Sequence, residues 1–359
     1  MALSSMRRLK PLGCVVEGRG DAGTPGQRNC YMSASTNEQH ELIRETVRRF
    51  AEREIAPISK ALWEEQGFAY EIWNRAGELG FLGLPYPEAH GGGGGDWVGV
   101  RIVLEEIARV DAAIESSIIA ISTPASLLHN FGTEEQKVRF LRPILNGRRV
   151  GCIGLTEANA GSDVANIQTR AQWRDGNWIV NGSKTFITNS GTRISGPVVI
   201  AAVTGARSDG RKEISNFIVP ADTPGFTLGR KLQKIGWRRS TTFELLFEDC
   251  VLAAAHLLEE RGAGLRQTLS NISIGRILIG ALGLGILQGL LECSVAYMKE
   301  RSAFGKRLEQ FQALRFKVTD IAMHAHAARL MLYDAVARKD CGLPCDVEAS
   351  MAKLFVRQR

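Results

Sequence analysis

The pattern of apolar and polar positions changes twice along this 359-residue chain. From about residue 36 to 149, apolar residues such as Ile43 and Val47 recur at helical spacing. Between 150 and about 252 they alternate in short runs separated by turn residues, which is typical of β-strands. Helical spacing returns after about Gly264. The pattern predicts a helical domain, a β domain and a second helical domain.

The first region predicts an all-helical domain over residues 36–149. Ser35-Thr-Asn-Glu38 is a capping-box pattern that starts the first helix, and Pro57 is expected to end or bend it. Further helices are predicted at residues 70–79, 97–112, 114–130 and 134–145.

The middle region, residues 150–255, predicts a small antiparallel β-barrel or sandwich. Two tight hairpin turns are expected, at Asp175-Gly176 and at Asn181-Gly182. The predicted strands are 150–155, 168–174, 177–188, 197–204, 214–219 and 241–248.

The last region, residues 256–359, predicts a C-terminal helical bundle. Residues 276–292 are apolar on nearly every face, which describes a helix buried on all sides. Apolar residues over 311–335 recur at intervals of three and four, as in the seam of an antiparallel bundle. The sequence ends inside a third helix that opens at Asp346, so we expect an incomplete bundle. The fold class is α+β, with several domains.

Composition changes this picture little. The net charge is +7, part of which falls in residues 1–35, an aperiodic segment that we predict to be a disordered leader. The remaining excess is too mild to indicate nucleic-acid binding. The longest apolar run, Ile277–Leu287, is shorter than the roughly 18–20 residues that span a bilayer, so no membrane span is predicted.

The cysteines indicate a reducing compartment. The seven form no CxxC pair and no zinc spacing, so no metal site is predicted, and several lie in apolar runs as expected for reduced core thiols. We expect a cytoplasmic protein. The alternative is the mitochondrial matrix, because residues 1–35 contain Arg and Ser and few acids.

Candidate chemistry is concentrated between Gly154 and Gly191. An apolar strand leads into a loop of small residues whose backbone N–H groups are open to an anionic or carbonyl-rich ligand. The following strand should place Phe186 and Thr188 on one face, since side chains two apart share a face. A flat heteroaromatic ring would stack on Phe186. From these residues alone, a surface loop beside an ordinary hairpin is an equally good interpretation.

Two sequence signatures carry a family resemblance. The run Thr156-Glu-Ala-Asn-Ala-Gly-Ser-Asp163, followed by Asn181-Gly-Ser-Lys-Thr-Phe-Ile-Thr-Asn189, resembles the flavin-binding signature of the acyl-CoA dehydrogenase family. A second signature runs from Ala296 to Lys306, with Phe311-Gln312 after it. The resemblance covers roughly residue 37 to the last residue.

The resemblance implies FAD-dependent α,β-dehydrogenation of an acyl-CoA thioester to a trans-2-enoyl-CoA. In this family a glutamate removes the α-proton while a hydride leaves the β-carbon for the flavin. The implied partners are an acyl-CoA substrate and an electron-transfer flavoprotein or similar acceptor. The implied assembly is a homotetramer, a dimer of dimers, in which one subunit completes the FAD site of its neighbour.

The resemblance also assigns roles to individual residues. Flavin contacts are implied for Ile153, Leu155, Thr156, Gly161, Ser162, Phe186, Ile187 and Thr188. The residues implied to hold the pyrophosphate and adenine of a neighbouring subunit's FAD are Arg301, Phe304, Phe311 and Gln312. Those implied to contact acyl-CoA are Ser162, Ser273 and Arg276.

The sequence departs from the family at the catalytic base. Most members carry the base glutamate in a C-terminal Tyr-Glu-Gly-Thr context, which this sequence does not contain. A minority place it one residue before the Arg matched by Arg276, where this chain has Gly275. We therefore expect the base beyond Arg359 and an inactive 359-residue chain. Two alternatives remain open: a flavin- or acyl-CoA-binding protein without dehydrogenase activity, and an acyl-CoA oxidase.

Overall fold

The computed structural model of this protein describes residues 36–65 and 67–358. The predicted leader, residues 1–35, lies outside the described residues. Helices, a β-sheet and further helices follow one another in the predicted order, and the predicted fold class is confirmed.

The first helices occupy residues 38 to 145. They are α1 Glu38–Phe50, α2 Ala56–Glu65, α3 Tyr70–Glu78, α4 Trp97–Val110, α5 Ala112–Phe131, α6 Glu134–Gln136 and α7 Arg142–Leu145. A π-helical turn, Ala51–Ile55, joins α1 to α2, and a second, Lys137–Leu141, joins α6 to α7. Their apolar faces meet in one core with residues from the sheet and from the last helices.

The start of α1 differs in detail from the prediction. Asn37 is the N-cap, and its side chain accepts a hydrogen bond from the His40 backbone N–H at 2.8 Å. The His40 ring accepts the Asn37 N–H in return, so the capping box begins at Asn37 because Glu38 already has helical geometry. Pro57 lies in the first turn of α2, directly after the π-helical turn, so the helix changes its winding at Pro57 and does not end there.

The middle region is a curled seven-stranded sheet. Its strands are β1 Val150–Gly154, β2 Arg170–Arg174, β3 Asn177–Thr188, β4 Ser195–Ala206, β5 Lys212–Val219, β6 Phe226–Lys231 and β7 Thr242–Ala253. The strand order is β1-β4-β2-β3-β7-β6, with β5 also paired to β4. Most pairings are antiparallel as expected, but β1 and β2 each run parallel to β4.

One of the two predicted hairpin turns is wrong. The β2–β3 turn does contain Asp175-Gly176, because Arg174 pairs with Asn177. Asn181-Gly182 instead lies inside β3, where the register with β7 shifts at a bulge. Gly182 has φ +143° and a Cβ there would lie 2.7 Å from Thr169 Oγ1, so this glycine serves a bulge and a close approach.

The last helices pack back onto the first ones. They are α8 Gly264–Leu269, α9 Ile272–Glu300, α10 Gln312–Asp340 and α11 Asp346–Arg357, and a short hairpin of β8 Ser302–Ala303 and β9 Lys306–Arg307 precedes α10. Where α9 crosses α4, a Cβ on Gly285 would lie 2.4 Å from the Glu105 carbonyl oxygen. A Cβ on Gly289 would lie 2.3 Å from the carbonyl oxygen of Arg109, so these glycines allow the two helix backbones to touch.

The predicted all-round burial of residues 276–292 holds for most of that stretch. Ile277, Leu278 and Leu284 are buried, whereas Leu290 is 53 % exposed. Within the described ranges, one helical stretch, Gly264–Glu300, is long and apolar enough to cross a membrane by length and composition alone, and half of its most apolar window is buried. The core helix of a soluble protein passes the same test, so this is weak evidence for a span.

Candidate active site

A cleft of about 470 Å³ opens where the three regions meet. It lies between α5, the end of β1, the end of β3, the α8–α9 junction and α11. Its lining residues are Ile119, Ala120, Ser122, Thr123, Ile153, Leu155, Thr156, Phe186, Ile187, Thr188, Thr268, Asn271, Ile272, Gly275, Arg276, Ile279 and Lys353. This volume falls within the range of small-molecule and cofactor sites.

A bulge at the end of β3 shapes one wall of the cleft. Phe186, Ile187 and Thr188 all line it, although strict alternation would direct Ile187 to the opposite face from its neighbours. The register with β7 shifts between Lys184 and Ile187, and Phe186 has φ +60°. Phe186 is thereby 67 % exposed, so its ring is free to stack against a ligand.

A second wall begins at the loop after β1. The Thr185 N–H of β3 donates to the Thr156 carbonyl at 2.9 Å, which holds this loop against β3. Lys184 Nζ lies 3.2 Å from the Leu155 carbonyl oxygen and 2.7 Å from Glu157 Oε1. The hydroxyl-bearing residues Thr156 and Thr188 therefore line the same cleft as the Phe186 ring.

The third wall comes from the start of α9. Gly275 and Arg276 line the cleft, and a Cβ on Gly275 would meet no atom within 4 Å. Asn271, at the N-cap of α9, accepts a hydrogen bond from the Ser126 hydroxyl at 2.5 Å, which ties α9 to α5. The start of α9 is thus fixed relative to α5, which also lines the cleft.

The structure gathers only part of the predicted site. Of the predicted residues, those that line the cleft are Ile153, Leu155, Thr156, Phe186, Ile187, Thr188 and Arg276. Gly161 and Ser162 lie exposed on the loop and outside the lining. The Ser273 hydroxyl contacts the Asp346 carboxylate and also lies outside the lining.

The predicted adenine and pyrophosphate residues form a separate, exposed group. Arg301 and Gln312 are exposed, and Phe304 is 94 % exposed at the tip of the β8–β9 hairpin. The Phe304 and Phe311 rings lie 6.5 Å apart, and Lys306 Nζ lies 4.3 Å from the Phe311 ring centroid. None of these described residues lines the cleft of the same chain.

Several cleft residues were missed from sequence. Lys353 sits on α11, and Thr268 and Asn271 lie at the α8–α9 junction, where helical spacing shows only a turn. Ser122 and Thr123 follow an apolar stretch of α5. Two hydroxyl residues at that point were the available sequence signal that this part of α5 lines a cavity. In the described part of the lining, Arg276 and Lys353 carry charge and no residue is a carboxylate.

Comparisons with known proteins identify the class. Three family models match: the acyl-CoA dehydrogenase N-terminal domain at residues 37–148, the middle domain at 152–250 and the C-terminal domain at 262–359. A probable acyl-CoA dehydrogenase of Bacillus subtilis, YngJ, is 40 % identical over 91 % of this chain and 86 % of its own length. A short-chain specific acyl-CoA dehydrogenase of Clostridium acetobutylicum is 39 % identical over 90 % of this chain and 85 % of its own length.

A solved structure agrees with the sequence matches. Butyryl-CoA dehydrogenase from Megasphaera elsdenii has a TM-score of 0.86 at 35 % identity, over 91 % of this chain and 86 % of that one. These matches define a flavin-dependent oxidoreductase that acts on CH–CH bonds. The chain belongs to the acyl-CoA dehydrogenase family, whose members use FAD.

Proposed function

We propose that this protein catalyses the FAD-dependent α,β-dehydrogenation of a short-chain acyl-CoA to the trans-2-enoyl-CoA. The observation that carries the proposal is the single cleft that joins Thr156, Phe186 and Thr188 to the start of α9. The short-chain assignment is supported by two of the relatives described above, the short-chain specific enzyme of Clostridium acetobutylicum and the butyryl-CoA dehydrogenase of Megasphaera elsdenii. It is also supported by the α5 and α9 sides of the cleft, which carry Ile119 and Ile279.

The residues present fit a bound flavin ring. The exposed Phe186 ring offers a stacking face, and the hydroxyls of Thr156 and Thr188 offer hydrogen bonds to a ring edge. When bound, FAD accepts the hydride that leaves the substrate's β-carbon. Ile153, Leu155 and Ile187 would exclude water from that ring, and Arg276 would contact the acyl-CoA. Gly161, Ser162 and Ser273 keep their proposed contacts with flavin and acyl-CoA as predictions.

The predicted adenine and pyrophosphate residues suggest how subunits assemble. We propose that Arg301, Phe304, Phe311 and Gln312 bind the adenine end of FAD in a neighbouring subunit of a dimer of dimers. Support comes from the exposure of Arg301, Phe304 and Gln312 and from the separation of this group from the cleft. An electron-transfer flavoprotein as acceptor, a cytoplasmic or mitochondrial-matrix location and domain boundaries at 36–149, 150–255 and 256–359 also remain predictions.

The test begins with the purified protein after incubation with FAD. We expect flavin absorbance on the protein. In the Gly275→Glu variant described below, which supplies a base, anaerobic butyryl-CoA should bleach the flavin faster than octanoyl-CoA does. Retained flavin that no acyl-CoA bleaches, even in the Gly275→Glu variant, would favour the binding-protein alternative. Rapid oxygen consumption during turnover would favour the oxidase. No flavin bound under any condition would refute the proposal.

The catalytic base is tested by adding one. Removing an α-proton needs a positioned base, typically worth about 10² to 10⁴ in rate, and the described cleft lining offers no carboxylate. Gly275→Glu places a carboxylate in the cleft at a position with room for it. We expect this variant to raise the single-turnover rate of flavin reduction by butyryl-CoA at least about 10²-fold.

Gly275→Gln is the matched control, because it fills the same space without a base. The expectation that the native base follows Arg359 stays a prediction. Fast turnover by the unmodified 359-residue chain would contradict it and would show that another group removes the proton.

A further inference from the structure

Lys184 is a fully buried cation directly behind the cleft wall. Its side chain has no solvent exposure, and it lies on β3 two residues before Phe186. Its ammonium group contacts two acceptors, the Glu157 carboxylate at 2.7 Å and the Leu155 carbonyl oxygen at 3.2 Å. Burial lowers the pKa of Lys184, and the Glu157 carboxylate opposes that shift.

Glu157 connects three separate segments of the β domain. Besides Lys184, its carboxylate accepts the Gln168 N–H at 2.5 Å and the Thr169 N–H at 3.0 Å. Burial alone would raise the pKa of Glu157, but the hydrogen bonds from Lys184, Thr169 and Gln168 hold it below its usual value. The carboxylate thus joins the loop after β1, the segment before β2 and the strand that carries Phe186.

These contacts fix two successive peptide units at the edge of the cleft. The Leu155 carbonyl is held by Lys184, and the Thr156 carbonyl is held by the Thr185 N–H at 2.9 Å. A trans peptide is planar, so the N–H of Thr156 lies antiparallel to the Leu155 carbonyl and is directed away from Lys184. The backbone around Thr156, a cleft-lining residue, is therefore anchored on both sides.

Stability alone does not explain a charged pair in this place. Replacing a buried ion pair by well-packed apolar residues is often neutral or stabilising, whereas removing one partner is strongly destabilising. What an apolar pair would not supply is a donor for the Leu155 carbonyl. The pair acts on the cleft through the hydrogen bond from Lys184 to the Leu155 carbonyl.

We propose that Glu157 and Lys184 are a positioning pair that sets the Leu155–Thr156 peptide to receive the edge of the flavin ring. The pair does not touch the ring itself. It acts through the Leu155 carbonyl and through the loop that Glu157 anchors. The proposal rests on the proposed function in taking the cleft as the flavin site.

The first test replaces the donor. Lys184→Met keeps much of the side-chain length and removes both hydrogen bonds from Nζ. We expect the Kd for FAD, measured by fluorescence titration of the apoprotein, to rise about tenfold, the value of one misplaced hydrogen bond. The visible spectrum of the bound flavin should also shift, because the polar groups at the ring edge are displaced.

The matched control is Arg261→Met. Arg261 follows the β domain and pairs with Glu213 of β5 at 2.5 Å, and neither residue lines the cleft. We expect this control to leave the Kd for FAD within about twofold of the unmodified protein. An unchanged Kd and an unchanged flavin spectrum in Lys184→Met would overturn the proposal.

A double variant separates positioning from stability. Glu157→Gln alone leaves Lys184 without its countercharge and should lower the Tm. The combination of Lys184→Met with Glu157→Gln leaves no buried charge, so the Tm should recover while the Kd for FAD stays raised. Recovery of both quantities would mean that the pair is structural only.

The double variant carries the test if Lys184→Met alone does not fold. Failure of the proposed function gives a different result from failure of this inference. If the unmodified protein binds no FAD, the proposed function fails before any variant is compared. If it binds FAD but oxidises no acyl-CoA, the Kd comparison still decides the role of the pair.

Discussion

Glu115 is buried in the first turns of α5 without a partner for its charge. It has no solvent exposure, and neither carboxyl oxygen has a hydrogen-bond partner within the described ranges. It lies one helical turn before Ile119, which lines the cleft, so both residues face the same side of α5. Burial raises the pKa of Glu115 well above its usual value. The side chain is therefore neutral in the folded protein over a wide pH range.

This burial predicts a stability that falls with pH. The unfolded chain ionises Glu115 near pH 4.3, whereas the folded chain keeps the proton, so the folded state binds more protons. Its contribution is fully present below about pH 4.3 and is lost as pH rises towards the folded pKa, by at most about 1.4 kcal/mol per pH unit. Glu115→Gln should match the unmodified protein at pH 4.5 and exceed its stability increasingly from pH 5 to 8.

Urea unfolding at each pH measures this difference. Glu135→Gln, at an exposed position of α6, serves as the control. Parallel stability curves for Glu115→Gln and the unmodified protein would show that Glu115 is ionised in the folded state.

Single residues of the site were predictable only where the sequence carries a recognisable signature. Thr156, Phe186 and Thr188 were found this way, and all three line the cleft. Lys353 was not, because it follows the ordinary amphipathic pattern of α11 and its position depends on how that helix packs. The left-handed φ of Phe186 could not be predicted either, because bulky residues rarely adopt this conformation.

At the scale of elements, α9 organises the bundle through its small residues. Gly285 and Gly289 lie four apart and so face α4 together. In the same helix, a Cβ on Gly283 would lie 2.0 Å from Val356 Cγ1 on α11. Each glycine lowers the intrinsic stability of α9 by about 1 kcal/mol relative to alanine. The close helix packing that these glycines allow offsets this loss.

Gly285→Ala should therefore destabilise the protein. The added methyl group would overlap the Glu105 carbonyl on α4, and overpacking of this kind typically costs about 1–3 kcal/mol. Gly275→Ala, in the same helix, meets open space and should gain up to about 1 kcal/mol. Urea unfolding of the two variants makes the comparison, and a similar shift in both would mean that α4 and α9 are not in backbone contact.

The sequence-based prediction was wrong for elements whose local residue pattern does not reflect their contacts in the folded protein. β6, Phe226–Lys231, was missed because neither of its faces is buried, so it shows no apolar alternation. Asn181-Gly182 was read as a turn because that dipeptide strongly favours hairpins, but pairing with β7 continues through it. The long helices, whose apolar positions recur over several turns, were found in the right order and nearly the right places.

Over the whole molecule, a network of charges ties the first helices to the last ones. Glu106 is 3 % exposed and accepts hydrogen bonds from Arg44, Arg48 and Arg109. Arg109 also donates to Glu292 on α9 at 2.9 Å. Sequence gave no sign of this network, because charges on helices are usually solvated and these become neighbours only after the two helical regions pack.

Removing the centre of the network should be costly. Glu106→Ala removes the buried carboxylate that Arg44, Arg48 and Arg109 share. Arg48 and Arg109 keep only the more exposed Glu52 and Glu292, and breaking buried ion pairs of this kind typically costs about 3 kcal/mol. Glu52→Ala is the control, since the side chain of Glu52 is 52 % exposed and its pairing with Arg109 should contribute less than about 1 kcal/mol. Thermal unfolding measures the Tm of both variants. Equal Tm losses would mean that the buried Glu106 contributes no more stability than the exposed Glu52.

The parallel pairing of β1 with β4 has a consequence for the order of folding. Val150 pairs with Ser195, and the loop that carries Thr156 and the β2–β3 hairpin lie between them in the chain. A hairpin closes within microseconds, whereas pairing across a longer segment must first overcome its loop-closure entropy. We therefore expect the walls of the cleft to meet late, after the transition state. We expect destabilising substitutions at Thr156 or Phe186 to accelerate unfolding and to leave the refolding rate nearly unchanged.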